Sequence, residues 1–125
     1  MPQQLADTSI VIVEDDVLIS QSLVDYFGSR NQVHTFSAAE LALEALPQLG
    51  KVDIFIIDYR LPGMNGIEFF KQLSATHAQS KFICISGEMS LELAQDAHQL
   101  GFDALILKPF DFTILEKNIL NLITA

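Results

Sequence analysis

A chain of 125 residues, half of them hydrophobic and 18% charged, is long enough for one domain with a buried core and too apolar for whole-chain disorder. Sixteen acidic residues against seven basic ones give a formal charge of −9, which argues against nucleic-acid binding, a function that needs a basic surface. The single cysteine, Cys84, excludes an internal disulfide framework and suits a reducing compartment. The longest apolar runs, such as residues 10–13 and 54–57, are far too short to cross a bilayer. The start, Met1-Pro2-Gln3-Gln4, lacks a basic region followed by an apolar stretch. No signal peptide and no membrane partner are therefore expected, and the cytoplasm is the expected address.

The first element is Ser9-Ile10-Val11-Ile12-Val13, a β-branched run that reads as a strand buried on both faces. It runs into Glu14-Asp15-Asp16, after which Ile19, Leu23 and Phe27 recur at helical spacing, with Gly28 as the stop. One or two acidic residues at a helix start are ordinary caps, and Asp16 fits that role. Three in succession exceed it, and Glu14 fits it poorly. Residues 32–36 predict a weaker strand, then a helix from about Ser37 with Ala38, Leu41, Ala42, Ala45 and Leu46 inward, closed by Pro47 and Gly50. Asp53-Ile54-Phe55-Ile56-Ile57-Asp58 is a third, fully buried strand, and Pro62-Gly63 and Asn65-Gly66 force a loop directly after it.

A helix follows with Ile67, Phe70, Leu73 and Ala78 inward. Lys81-Phe82-Ile83-Cys84-Ile85 is a fourth buried strand ending in Ser86-Gly87-Glu88, with Cys84 as a small core residue. A helix from about Ser90 to Leu100 turns Leu91, Ala94 and Ala97 inward and stops at Gly101. Residues 104–107 form a fifth strand ending in Lys108-Pro109-Phe110. The last helix, from near Asp111, carries Phe112, Leu115, Ile119 and Leu122, while Ile114, Leu120 and Ile123 fall partly off its inner stripe and offer a contact face. His34, His77 and His98 lie on three different elements, which argues against a histidine metal site. Five strand–helix units without a linker predict one α/β domain with a parallel sheet and helices on both faces.

In such a sheet ligands sit beyond the C-terminal ends of the strands. Those ends carry Glu14 and Asp15, then Asp58, Ser86 and Lys108, so every strand but the second delivers a polar group to one edge. Crowded carboxylates raise one another's pKa unless a cation intervenes. Hard oxygen ligands favour Mg²⁺, with Mn²⁺ as a substitute. A carboxylate nucleophile, a divalent cation, an ammonium and a hydroxyl together suit a phosphoryl group with its three oxygens.

On these residues the sequence resembles the receiver domain of bacterial two-component response regulators, over essentially its whole length. The matching pieces are Ile12-Val13-Glu14-Asp15-Asp16, Ile57-Asp58 with Leu61-Pro62-Gly63-Met64-Asn65-Gly66, Ile85-Ser86-Gly87 and Leu107-Lys108-Pro109-Phe110. The resemblance implies a flavodoxin-like, doubly wound sheet of order 2-1-3-4-5, with residues 1–125 forming a single receiver domain that carries no effector. It implies that Asp58 is the phosphoacceptor for a sensor histidine kinase or a histidine phosphotransfer protein. Asp15 and the backbone carbonyl of Arg60 are implied as direct metal ligands beside Asp58, with Glu14 acting through water. Ser86 and Lys108 are implied to hold the phosphoryl oxygens, and the Lys108-Pro109 bond to be cis. Arg60 and Glu88 stand where members of the family tune the lifetime of the acyl phosphate. An aromatic residue is usual three positions before the lysine; Leu105 stands there, so output is expected to use backbone or helix shifts. The expected outlet is a downstream protein or a second copy, through the face of the fourth and fifth helices. Such a domain is not an enzyme with a substrate of its own, although it assists its own phosphorylation and slow dephosphorylation.

Other readings are less well matched. An aspartate-nucleophile phosphohydrolase usually has a second acid where Arg60 stands, and a flavin carrier needs a phosphate cradle where the first loop is acidic. A degenerate receiver used only for binding is disfavoured by the complete set Glu14, Asp15, Asp58, Ser86 and Lys108.

Overall fold

Successive side chains of a strand face opposite sides of a sheet, and in this chain the two sides carry different chemistry. The computed structural model describes residues 4–87 and 91–124. Its strands are β1 (Ser9–Val13), β2 (Gln32–Phe36), β3 (Ile54–Asp58), β4 (Lys81–Ser86) and β5 (Ala104–Leu107), all parallel in the order β2-β1-β3-β4-β5. Between them run α1 (Val17–Phe27), α2 (Ala39–Ala45), α3 (Gly66–Thr76) and α4 (Leu91–Leu100), and α5 (Phe112–Thr124) follows β5. One face of the sheet is an isoleucine layer, with Ile10, Ile12, Ile54, Ile56, Ile83, Ile85 and Ile106 packed on Leu23 and Phe27 of α1 and Leu115 and Ile119 of α5. The other face is aromatic. Phe82 stacks on Phe55 at 5.1 Å between ring centres and meets Phe70 edge-on at 4.9 Å, and Phe70 stacks on Phe102 at 4.3 Å. Ala39 and Ala42 of α2, Phe69, Phe70 and Leu73 of α3 and Ala97 of α4 cover this face.

The five strands lie where the sequence places them. The helix faces do not all follow. In α4 the buried residues are Leu93 and Ala97, whereas Leu91 is 74% exposed and Ala94 is exposed too. In α2 the buried alanines are Ala39 and Ala42, and Leu41 turns outward. Both helices are short, so a few residues leave the phase of a 3.6-residue pattern ambiguous. Ala78 lies past the end of α3 and is exposed. On α5, Leu120 and Ile123 pack on the isoleucine layer, and Ile114 stays exposed.

Register is what aligns the carboxylates. Ile10 pairs with Ile54 and Val13 with Ile57, so one step further Glu14 comes level with Asp58. Asp53 braces the start of that pair from both sides: its N–H donates to the Ser9 carbonyl at 2.9 Å, and its Oδ2 accepts from Ser9 N at 2.8 Å. Beyond β3, Gly66 is obligatory for another reason. A Cβ there would collide with the backbone oxygen of Asp58, so only glycine lets α3 begin this close to the strand end. Asp53→Ala is expected to cost about 1–3 kcal/mol in urea unfolding with an unchanged m-value, and Asp53→Asn, which keeps an acceptor, clearly less.

Candidate functional site

Strand ends set the site. Glu14 follows β1 and Asp58 closes β3, and they are only 1% and 4% exposed. Asp15 is exposed beside them. Ser86, the last residue of β4, is buried, and Lys108 follows β5 with its N–H donating to the Ser86 carbonyl at 2.7 Å. The Lys108-Pro109 bond is cis. Asp16 caps α1 through Oδ1, which accepts from Leu18 N and Ile19 N. That leaves Glu14 and Asp15 for other work.

The Lys108 ammonium bridges the buried pair. Nζ donates to Asp58 Oδ2 at 2.9 Å and stands 2.6 Å from Glu14 Oε1. The second contact is a close ion pair that engages the buried Oε1 of Glu14. Oε2 of the same residue accepts from Asp16 N at 3.2 Å, and Asp58 Oδ1 accepts from Arg60 N at 3.1 Å. Burial, then the adjacent Asp58 carboxylate, pushes the pKa of Glu14 up to about 7 against the opposing pull of Lys108. Burial pulls Lys108 down, but hydrogen bonding and charge from Glu14 and Asp58 outweigh it and hold the ammonium above its ordinary value.

Glu14, Asp15 and Asp58 offer oxygens that all lie within 4.8 Å of one another. With every group ionised, three carboxylates and one ammonium leave two negative charges in a small volume. A divalent cation with hard-oxygen preference matches that charge and donor set. The residues therefore fit Mg²⁺.

The other sequence-selected residues fall as follows. Arg60 is exposed on the loop after β3. Glu88 lies outside the described residues. Leu105 is half-buried against the aromatic face, in the cluster that holds Cys84 and Ala97. Burial pushes the Cys84 thiol up to about 12, in keeping with a core residue. His34, His77 and His98 stand on β2, at the end of α3 and on α4, away from the acidic group. One residue near the site was not anticipated. Glu40 of α2 reaches the loop after β3, and nothing in local periodicity marks such a long-range contact.

The raised Glu14 pKa has a signed consequence. Between about pH 4.5 and 7 the folded protein holds a proton that the unfolded chain has released, so this group's stabilisation is full below that window and lost as pH rises through it. In chelator, the urea midpoint of the wild type is expected to fall relative to Glu14→Gln between about pH 5 and pH 8, and Mg²⁺ to restore it at the higher pH. Parallel pH profiles for the two proteins would contradict this.

Comparison with known proteins agrees with this geometry. The model of the response regulator receiver domain matches residues 10–120. The sporulation initiation phosphotransferase F of Bacillus subtilis is 30% identical over 86% of this chain and 86% of its own length. The transcriptional regulatory protein FixJ of Bradyrhizobium diazoefficiens is 31% identical over 82% of this chain, which covers 50% of that protein. This chain spans about half the length of several curated relatives it matches. Among solved structures, a response regulator receiver protein from Pseudomonas putida superposes with a TM-score of 0.83 at 25% identity, covering 94% of this chain and 98% of that one. Among the described residues no helix is long and apolar enough to cross a membrane. The chain belongs to the response regulator receiver domain family.

Proposed function

We propose that Asp58 accepts a phosphoryl group from a phosphohistidine on a sensor histidine kinase or histidine phosphotransfer protein, and that residues 1–125 act as one phosphorylation-dependent signalling domain. The observation that carries this reading is the buried pair of carboxylates bridged by Lys108, with Asp15 completing an acidic group open to solvent on one side. Asp58 Oδ attacks phosphorus, the bond to the donor imidazole breaks, and an acyl phosphate forms. Lys108 then pairs with a phosphoryl oxygen and Ser86 donates to another. Glu14, Asp15, Asp58 and the Arg60 carbonyl would hold Mg²⁺, which when bound neutralises the charge that repels the incoming phosphate. The metal thus offsets a repulsion that the carboxylates themselves create.

The protein supplies position and charge, not turnover of a separate substrate, and water later returns Asp58 to its free form. Arg60 and Glu88, two residues beyond Asp58 and Ser86 in the sequence, occupy the positions at which members of the family tune the rate of that step. A donor protein finds apolar ground beside Asp58, where Val17 and Leu18 are 74% and 79% exposed and a groove of about 380 Å³ runs along Leu18, Ile19, Lys108, Pro109 and Phe110. Output leaves through the α4–α5 face, on which Leu91 and Ile114 are exposed apolar side chains, toward a downstream protein or a second copy. With Leu105 in place of an aromatic ring, the change is carried by backbone and helix shifts. The acidic surface and the single, buried Cys84 suit a cytoplasmic setting.

Incubation with Mg²⁺ and acetyl phosphate is expected to add one phosphoryl group by intact mass. The adduct should be absent from Asp58→Asn and from chelated wild type. Lys108→Ala should slow acceptance by about 10²-fold, the scale seen when one preorganised donor to a developing charge is removed. A wild type that takes up no phosphoryl group would reduce the domain to a binding module.

A further inference from the structure

The loop between β3 and α3 is gripped from outside by a residue that plays no part in the chemistry above. Glu40 sits in the first turn of α2. Its Oε2 accepts from Met64 N at 3.3 Å, across 24 positions of chain. Gly63 adopts φ +73°, and a Cβ there would stand 2.5 Å from that same Oε2, so the loop backbone passes directly against the carboxylate. Other tethers hold the same loop: Arg60 N donates to Asp58 Oδ1 at 3.1 Å, Tyr59 N to Ile85 O of β4 at 2.8 Å, Gly66 N to Tyr59 O at 3.3 Å, and Gln72 Nε2 of α3 to Met64 Sδ at 3.7 Å. Leu61 and Met64 pack in the cluster that contains Ala39 and Ala42 of α2. The loop is thus tied at its start to β3 and β4 and closed by the Gly66–Tyr59 bond, and at Met64 the backbone is held by α2 and the side chain by α3.

We propose that Glu40 is a positioning residue for the cation site: by fixing residues 60–65 it presets the Arg60 backbone carbonyl beside Asp58, so that the seating of α2 governs Mg²⁺ affinity. This rests on the reading of Asp58 and Arg60 given under Proposed function. The physical advantage is preorganisation. A loop ordered before the cation arrives loses less conformational freedom on binding it. A solvent-facing acid in a first turn otherwise serves only the helix dipole. That role accounts for the charge of Glu40, but it requires neither the bond to Met64 nor the side-chain-free backbone at Gly63.

Glu40→Gln keeps an acceptor and loses the charge, whereas Glu40→Ala loses both; alanine is the strongest helix former and the position is exposed, so folding is not at risk. The expected result is Mg²⁺ binding, measured by calorimetry on the full chain, weakened roughly three- to tenfold in Glu40→Ala and within about twofold of wild type in Glu40→Gln. The Met64 amide should exchange faster with solvent in Glu40→Ala alone, and acetyl phosphate should label Asp58 more slowly at limiting Mg²⁺ but at the wild-type rate when Mg²⁺ saturates. Unchanged affinity in Glu40→Ala overturns the proposal, and so does equal weakening in both variants, which would make the effect one of charge. A wild type that gains no phosphoryl group fails differently: it removes the reading of Asp58, and the purpose of the latch with it.

Discussion

Two carboxylates at the ends of adjacent buried strands cannot both be ionised without a counterion, and Lys108 is that counterion. Its ammonium reaches both Glu14 and Asp58 from the neighbouring edge of the sheet. The rest of the architecture serves this contact. The β1–β3 register brings the acids level, β5 delivers the lysine, and the glycine at position 66 lets the next helix start against the strand end. Among the described residues, the three clustered acids outnumber the one ammonium that reaches two of them.

This arrangement is costly for the fold and useful for chemistry for the same reason. Burial raises the free energy of charged Glu14, which appears as a pKa near 7. A group poised there exchanges its proton near neutral pH. Helices and loops are anchored at the same sheet edge. The loop after β3 is braced by α2 through Glu40, and the residue before the lysine pair, Leu107, is paired with Ser86.

The two faces of the sheet divide the labour. The isoleucine layer with α1 and α5 forms one core, and the stacked phenylalanines with α2, α3 and α4 form the other. Leu105 belongs to the aromatic side, next to Cys84 and Ala97. A leucine there has no ring to swing between two positions.

Much of this was legible in the residues. β-branched runs ending in Glu14, Asp58, Ser86 and Lys108 specify buried parallel strands and place their polar ends at one edge, because a strand buried on both faces tolerates polarity only where it emerges. The cap role of Asp16 was legible for a similarly local reason, since capping is settled within one helical turn. The inward faces of α2 and α4 were legible only in part: Ala42, Leu46 and Ala97 are buried as expected, but in helices of 7 and 10 residues the choice between Leu41 and Ala39, or between Leu91 and Leu93, depends on what packs against them. Nor could sequence spacing reveal that Lys108 would touch Glu14 and Asp58 at once, or that Glu40 would reach Met64. Local sequence determined which elements form and which chemical groups they end in. Only the tertiary structure decided which of those groups touch, since distance across a sheet is set by strand order and register, not by separation along the chain.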